Sequence, residues 1–163
     1  MDHMWSPWRS SWVANAAQED RGNIFLRMLE EHNDEKNFIL WRGERMFVVM
    51  NLYPYNNGHL LIVPNRRVEM YNELTEEEQT DLAATLRHVV EWIDAALNPD
   101  GYNIGMNLGR AGGAGIPQHL HMHVVPRWSA DTSFMSSTAD IRVIPETLRQ
   151  TFERIRAVIP DAD

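Results

Sequence analysis

The chain has 163 residues, 44% of them hydrophobic and 23% charged, the size and composition of one soluble domain around a single core. Its formal charge of −8 excludes the broad basic face that general nucleic-acid binding needs, although a few local donors can still hold a small anion. The absence of cysteine excludes disulfides and thiolate metal sites. No apolar run reaches the roughly 18 residues of a membrane span, and MDHMWSPWRSSW lacks the apolar stretch of a secretory signal, so the expectation is a cytoplasmic chain with no membrane partner.

Residues 1–20 read as an arm, with Trp5, Trp8 and Trp12 along a polar segment that should pack on the body or on a second subunit. Residues 23–32 carry Ile24, Phe25, Met28 and Leu29 at helical spacing. Two strands are expected at 38–41 (FILW) and 46–52 (MFVVMNL), with a third at 59–64 (HLLIVP) behind the turn Asn56-Asn57-Gly58. Thr75-Glu76-Glu77-Glu78 is a capping box. It opens a helix over 75–97 whose Leu82, Leu86, Val89, Ile93 and Leu97 form one apolar stripe. Strands at 102–108 and 118–126 flank a Gly-rich loop, Gly109–Gly115, and Pro145 opens a final helix to about Val158. Strands and helices mix without regular βαβ alternation, which predicts an α+β domain with a mainly antiparallel sheet.

The chemistry concentrates in Gln118-His119-Leu120-His121-Met122-His123-Val124. On a strand its period of two puts three imidazoles on one face, about 6.6 Å apart, and Leu120, Met122 and Val124 on the other. Such a row can bind zinc through ring nitrogens, or supply a neutral imidazole nucleophile for attack on phosphorus. The loop before it favours the second reading. Gly109, Gly112, Gly113 and Gly115 let backbone N–H groups approach and cradle a phosphate. His3, His32 and His88 read as surface residues, and Arg66-Arg67 as a solvated turn. Met46, Met50, Met106 and Met122 read as core filling.

With its alternating histidines and the block Asn56-Asn57-Gly58-His59-LLIVP, the chain resembles the histidine-triad (HIT) family. LYPYNNGHLLIVP, NIGMNLG, HVVPRW and RVIPE are similar to its bacterial branch containing diadenosine tetraphosphate phosphorylases. The resemblance implies a single HIT domain over 1–163, with an aromatic arm at 1–20 and a C-terminal helical extension at 140–163. It implies a five-stranded antiparallel sheet with a long helix and a C-terminal helix, and pairing of two chains into a homodimer or higher homo-oligomer. The activity implied is cleavage of a dinucleoside polyphosphate at the α-phosphorus, by phosphorolysis or hydrolysis. His121 would be the nucleophile, with His119 supporting it and His123 and His59 contacting phosphate or orienting the rings. Asn51 would meet the ribose, and Asn107, Gly113, Ala114 and Gly115 the phosphates, with Gln118, Arg110 and Trp128 as weaker candidates. Relatives often carry C-x-x-C and a later histidine as a structural zinc site. Here Asn23, Leu26 and Arg67 stand at those positions, so no bound metal is expected, and Mg²⁺ enters only as a companion of the polyphosphate. A nucleoside phosphoramidate hydrolase, a strand-histidine metalloenzyme and a nucleotide-binding interaction protein with little turnover remain as alternatives.

Overall fold

The computed structural model describes residues 24–129, 131 and 146–160. The Trp-rich arm, His3 and much of the C-terminal extension lie outside them. Helix α1 (Ile24–Glu30) buries Phe25 and Met28. A short helix α2 (Asp34–Asn37) follows, capped by the Asn33 side chain and ended by Phe38 in the left-handed region. Four charged or amide residues in a row gave α2 no apolar periodicity by which the sequence could signal it.

Strands β1 (Ile39–Arg42), β2 (Met46–Met50), β3 (Leu60–Pro64), β4 (Gly101–Met106) and β5 (Met122–Arg127) form one sheet in the order β1-β2-β3-β5-β4. Every neighbouring pair is antiparallel. This is the expected α+β class and sheet, except that the last strand is shorter than predicted at 118–126. His119, Leu120 and His121 precede the ladder, because His119 N–H closes a turn on the Ile116 carbonyl and Leu120 N–H is taken by the Val68 carbonyl at 2.6 Å.

Helix α3 (Glu76–Leu97) starts on the predicted capping box: the Thr75 hydroxyl accepts Glu78 N–H and the Glu78 carboxylate accepts Thr75 N–H. A cap of this kind contributes about 1 kcal/mol. Arg66 adds two hydrogen bonds to the same carboxylate, at 2.8 and 3.0 Å, so this arginine ties the helix start to the end of β3 instead of lying in a solvated turn. Helix α4 (Leu148–Arg156) starts later than Pro145 suggested, since Thr147 and Gln150 supply its own capping box.

Strand alternation divides the apolar residues between the two faces of the sheet. Leu60 and Ile62 of β3, with Val48 and Val124, join Leu82, Val89, Trp92, Ile93 and Leu97 of α3 and Phe152 and Ile155 of α4 in the larger core. Leu61 and Val63 point the other way, into a smaller core with Phe25, Met28, Phe47 and Val49. His59 shares the parity of Leu61, and His123 pairs directly with Leu61. The sheet therefore carries its histidines on the face opposite the long helix. No helix among the described residues is long and apolar enough to cross a membrane.

Candidate functional site

His59, His119 and His121 are buried, with relative exposures of 0%, 0% and 6%. The hydrogen bonds around them fix where each ring proton resides. A carbonyl can only accept, so the 2.8 Å bond between His121 Nδ1 and the His119 carbonyl places the proton on Nδ1 and leaves Nε2 as the lone-pair nitrogen. The 2.9 Å bond from His119 Nε2 to the Pro64 carbonyl likewise commits that ring. Phe25 meets both rings, edge-on to His119 at 5.4 Å and tilted to His121 at 5.6 Å.

His59 and His123 form a directional pair. Tyr55 N–H donates to His59 Nδ1 at 3.0 Å, so the His59 ring proton sits on Nε2 and is donated to His123 Nδ1 at 2.9 Å. With Nδ1 accepting, the protonated nitrogen of His123 is Nε2. Tyr55 also stacks on His123, with ring centroids 5.6 Å apart and planes 18° apart. The His121 and His123 rings lie edge to face at 5.0 Å. The cluster therefore brings a lone-pair imidazole and an N–H imidazole side by side. Chemically, that combination can attack an electrophilic centre and hydrogen-bond an oxygen attached to it.

Burial lowers the pKa of all three enclosed histidines. For His59 desolvation comes first, reinforced by the neighbouring His123 and His121, and the value falls to about 3. For His119 and His121 desolvation is again the leading cause, opposed by their carbonyl hydrogen bonds.

The HIT domain family matches residues 32–130. An AP-4-A phosphorylase of Mycobacterium tuberculosis is 36% identical over 157 residues, covering 93% of this chain and 80% of that protein. The chain belongs to the HIT domain family. A bis(5'-nucleosyl)-tetraphosphatase (asymmetrical) of Schizosaccharomyces pombe shares 35% identity over 95 residues, 58% of this chain and 52% of that one. With relatives named as enzymes across most of its length, the chain is a HIT enzyme. In fold it matches a Zn-bound histidine triad family protein from Mycobacterium smegmatis, with a TM-score of 0.67 at 24% identity over 82% of this chain and 90% of that one. A hypothetical histidine triad nucleotide-binding protein from Sulfolobus tokodaii matches with a TM-score of 0.65 at 27% identity, over 83% and 88% of the two chains.

The other residues that the sequence singled out take the following places in this HIT domain. The Gly-rich loop closes on itself: Gly113 N–H is given to the Arg110 carbonyl and Ala114 N–H to the Gly109 carbonyl. Those two amides, expected on the phosphates, are spent within the loop. Gly112 is needed for a different reason, since a Cβ there would lie 2.4 Å from the Leu108 carbonyl oxygen. Asn51 accepts Tyr53 N–H with its Oδ1 and turns its Nδ2 towards the His59 ring at 3.3 Å, so it supports that imidazole. Asn107 lies one step beyond the Met106–Met122 pair, a register that carries it towards His121. Trp128 gives its indole N–H to the Asn98 carbonyl at the end of α3 and packs on the larger core, away from the smaller core beside the histidines.

Arg67 occupies the position associated with a zinc-binding histidine. Its guanidinium donates to the Gln118 carbonyl at 3.2 Å and to Glu69, holding the end of the loop. Guanidinium has donors and no lone pair to give a metal, and Leu26 has no ligand atom, so these residues do not fit a zinc site. No cluster of three or more histidine, cysteine, aspartate or glutamate side chains suited to a metal occurs among the described residues. Sequence reasoning missed Tyr55 and Phe25, because an aromatic residue near a motif reads as ordinary core until its ring is placed.

The depressed histidine pKa values set a sign for acid stability. Between pH 6.5 and about 3 the unfolded chain protonates position 59 and the folded chain does not, so stability falls as pH falls through that window. His59 alone contributes a loss of about 2 kcal/mol between pH 7 and pH 5. Urea midpoints measured at both pH values should show the drop, and His59→Gln should make it smaller by the His59 share. An equal drop in the variant would refute this assignment.

Proposed function

We propose that the chain cleaves dinucleoside polyphosphates at the α-phosphorus through a nucleotidyl intermediate on His121. The observation that carries this reading is the His121 Nδ1–H bond to the His119 carbonyl, because it leaves Nε2 with the lone pair needed for attack. In the first step Nε2 bonds to phosphorus, and the bond to the bridging oxygen breaks with its electron pair leaving on the nucleoside polyphosphate. His123 Nε2–H hydrogen-bonds that departing oxygen. In the second step an acceptor attacks phosphorus and displaces His121. We take inorganic phosphate as the acceptor, on the strength of the mycobacterial relative named a phosphorylase.

The leaving group follows from the same bonds. An amine must be protonated as it departs, whereas a phosphate ends in a group with a pKa of about 6 and leaves as an anion near neutral pH. Gly115-Ile116-Pro117 at the loop end has no acidic side chain, and the His119 ring proton is committed to Pro64. His59 does not become an imidazolium near neutral pH. The surroundings supply hydrogen-bond donors more readily than a strong acid, which favours a polyphosphate over a phosphoramidate. Mg²⁺ accompanies the polyphosphate in this reading, and no resident metal takes part.

The reading includes a homodimer. Among the described residues β4 is an edge of the sheet, and Ile104 on it is 45% exposed, an edge strand carrying an apolar side chain that suits a second copy. Light scattering at micromolar concentration should give twice the monomer mass, and a stable monomer would remove this part.

His121→Ala should abolish turnover with little change in nucleotide affinity, since the variant loses the bond-forming nitrogen but keeps the surrounding contacts. Quenched reactions with labelled substrate should place the label on His121 of the unaltered protein, and label on another histidine would overturn the assignment. Diadenosine tetraphosphate should have a higher kcat/KM than adenosine phosphoramidate, and with phosphate present it should yield ADP plus ATP. AMP plus ATP would make water the acceptor, and a preference for the phosphoramidate would refute the leaving-group argument.

A further inference from the structure

Two adjacent asparagines, Asn56 and Asn57, sit in the turn before His59 at only 4% and 8% exposure. A buried amide is costly unless both its ends are satisfied, and here each amide is satisfied by a different distant segment. Asn56 Nδ2 donates to the Pro126 carbonyl at 3.1 Å and to Asp131 Oδ2 at 2.8 Å, while its Oδ1 accepts Asn57 N–H at 3.1 Å. Asp131 is itself held by Arg127.

Asn57 turns to the C-terminal helix. Its Oδ1 lies 2.8 Å from the Thr151 hydroxyl and its Nδ2 donates to Glu146 Oε2 at 3.3 Å. Thr151 has one hydroxyl proton to place between Asn57 and Glu146, which is 3.0 Å away. Arg154 pairs with Glu146 and donates to the Ala96 carbonyl at the end of α3. The motifs NNGH and HVVPRW, together with Glu146 and Thr151 far along the sequence, thus converge on one turn.

That turn has little freedom to shift. Gly58 has a φ of +71°, and a Cβ on it would lie 2.4 Å from Leu97 Cδ1. Its other constraint is functional: Tyr55 N–H reaches His59 Nδ1 at 3.0 Å only while residues 55–59 hold their present shape, with His59 N–H on the Asn56 carbonyl at 3.3 Å. If the turn relaxes, Nδ1 loses its shorter, backbone donor and keeps only the longer contact with Asn51 Nδ2 at 3.3 Å. The ring proton is then free to move to Nδ1, and His59 no longer donates to His123.

We propose that Asn57, held by Thr151 and Glu146 of the C-terminal segment, is a positioning residue that fixes the His59 tautomer and through it the donor nitrogen of His123. Its effect on turnover rests on the function proposed above. Its effect on the tautomer does not.

The test compares Thr151→Val, which keeps the branched shape and loses the hydroxyl, with Thr151→Ser, which keeps the hydroxyl. Long-range ¹H–¹⁵N spectra of the ligand-free protein should show His59 Nδ1 unprotonated in the parent and in Thr151→Ser, and a mixed tautomer in Thr151→Val. With diadenosine tetraphosphate, Thr151→Val should lower kcat by about tenfold or more, with KM within twofold of the parent, and Thr151→Ser should restore it. Glu146→Ala, altering a partly exposed side chain, should move the spectrum the same way if Thr151→Val fails to fold. An unchanged His59 spectrum in the folded variants overturns the proposal whatever the activity. So does a changed spectrum with unchanged kcat. A parent protein inert towards every dinucleoside polyphosphate refutes the proposed function, while the spectra still decide the tautomer.

Discussion

The candidate site depends on one hydrogen bond, from His121 Nδ1–H to the carbonyl of His119, two residues before it in the chain. It selects which ring nitrogen keeps a lone pair, and that selection is made by backbone conformation alone. The conformation is held from outside the segment: the His119 ring is tied to the Pro64 carbonyl and Leu120 N–H to the Val68 carbonyl. The end of β3 and the residues after it therefore orient an imidazole that lies far along the sequence. Arg67, reaching from the same stretch to the Gln118 carbonyl, braces the approach to it.

The sheet separates stability from chemistry. Its larger core lies under α3 and α4, where aliphatic packing supplies most of the favourable burial. The opposite face has fewer apolar residues and a short helix that buries Phe25 and Met28, and there the imidazoles are buried. Burial without charge requires each ring proton to have a defined acceptor, so hydrogen-bond direction becomes structural information. The same dehydration that lowers the histidine pKa values keeps their lone pairs unprotonated near neutral pH.

Much of this was legible in the sequence because it is periodic. The alternation of histidine with Leu120, Met122 and Val124, the stripe from Leu82 to Leu97 and the Thr75–Glu78 box all encode local geometry that chain order preserves. Boundaries were less legible where tertiary contacts overrode the pattern. His119 and Leu120 look like strand residues but bond to a turn and to Val68. The glycines of 109–115 suggest an open cradle, yet two amides of that stretch close the loop. The Asn57–Glu146 contact spans 89 positions, and no period or spacing signals it. Tyr55 acts on His59 through its backbone N–H, a group every residue but proline carries, so side-chain identity gave no sign of it.

The pairing of His59 with His123 joins positions sixty-four residues apart, with the whole of α3 between them. Contacts of such sequence separation carry a large loop-closure entropy and tend to form late. During synthesis, β1 to β3 leave the ribosome with one imidazole of the pair and without the other. The hairpins and the long helix can gain order first, but the proton-bearing pair cannot exist before β5 has emerged and docked between β3 and β4. Catalytic competence is thus a late product of folding, and a chain truncated before β5 would retain local structure while lacking the histidine pair altogether.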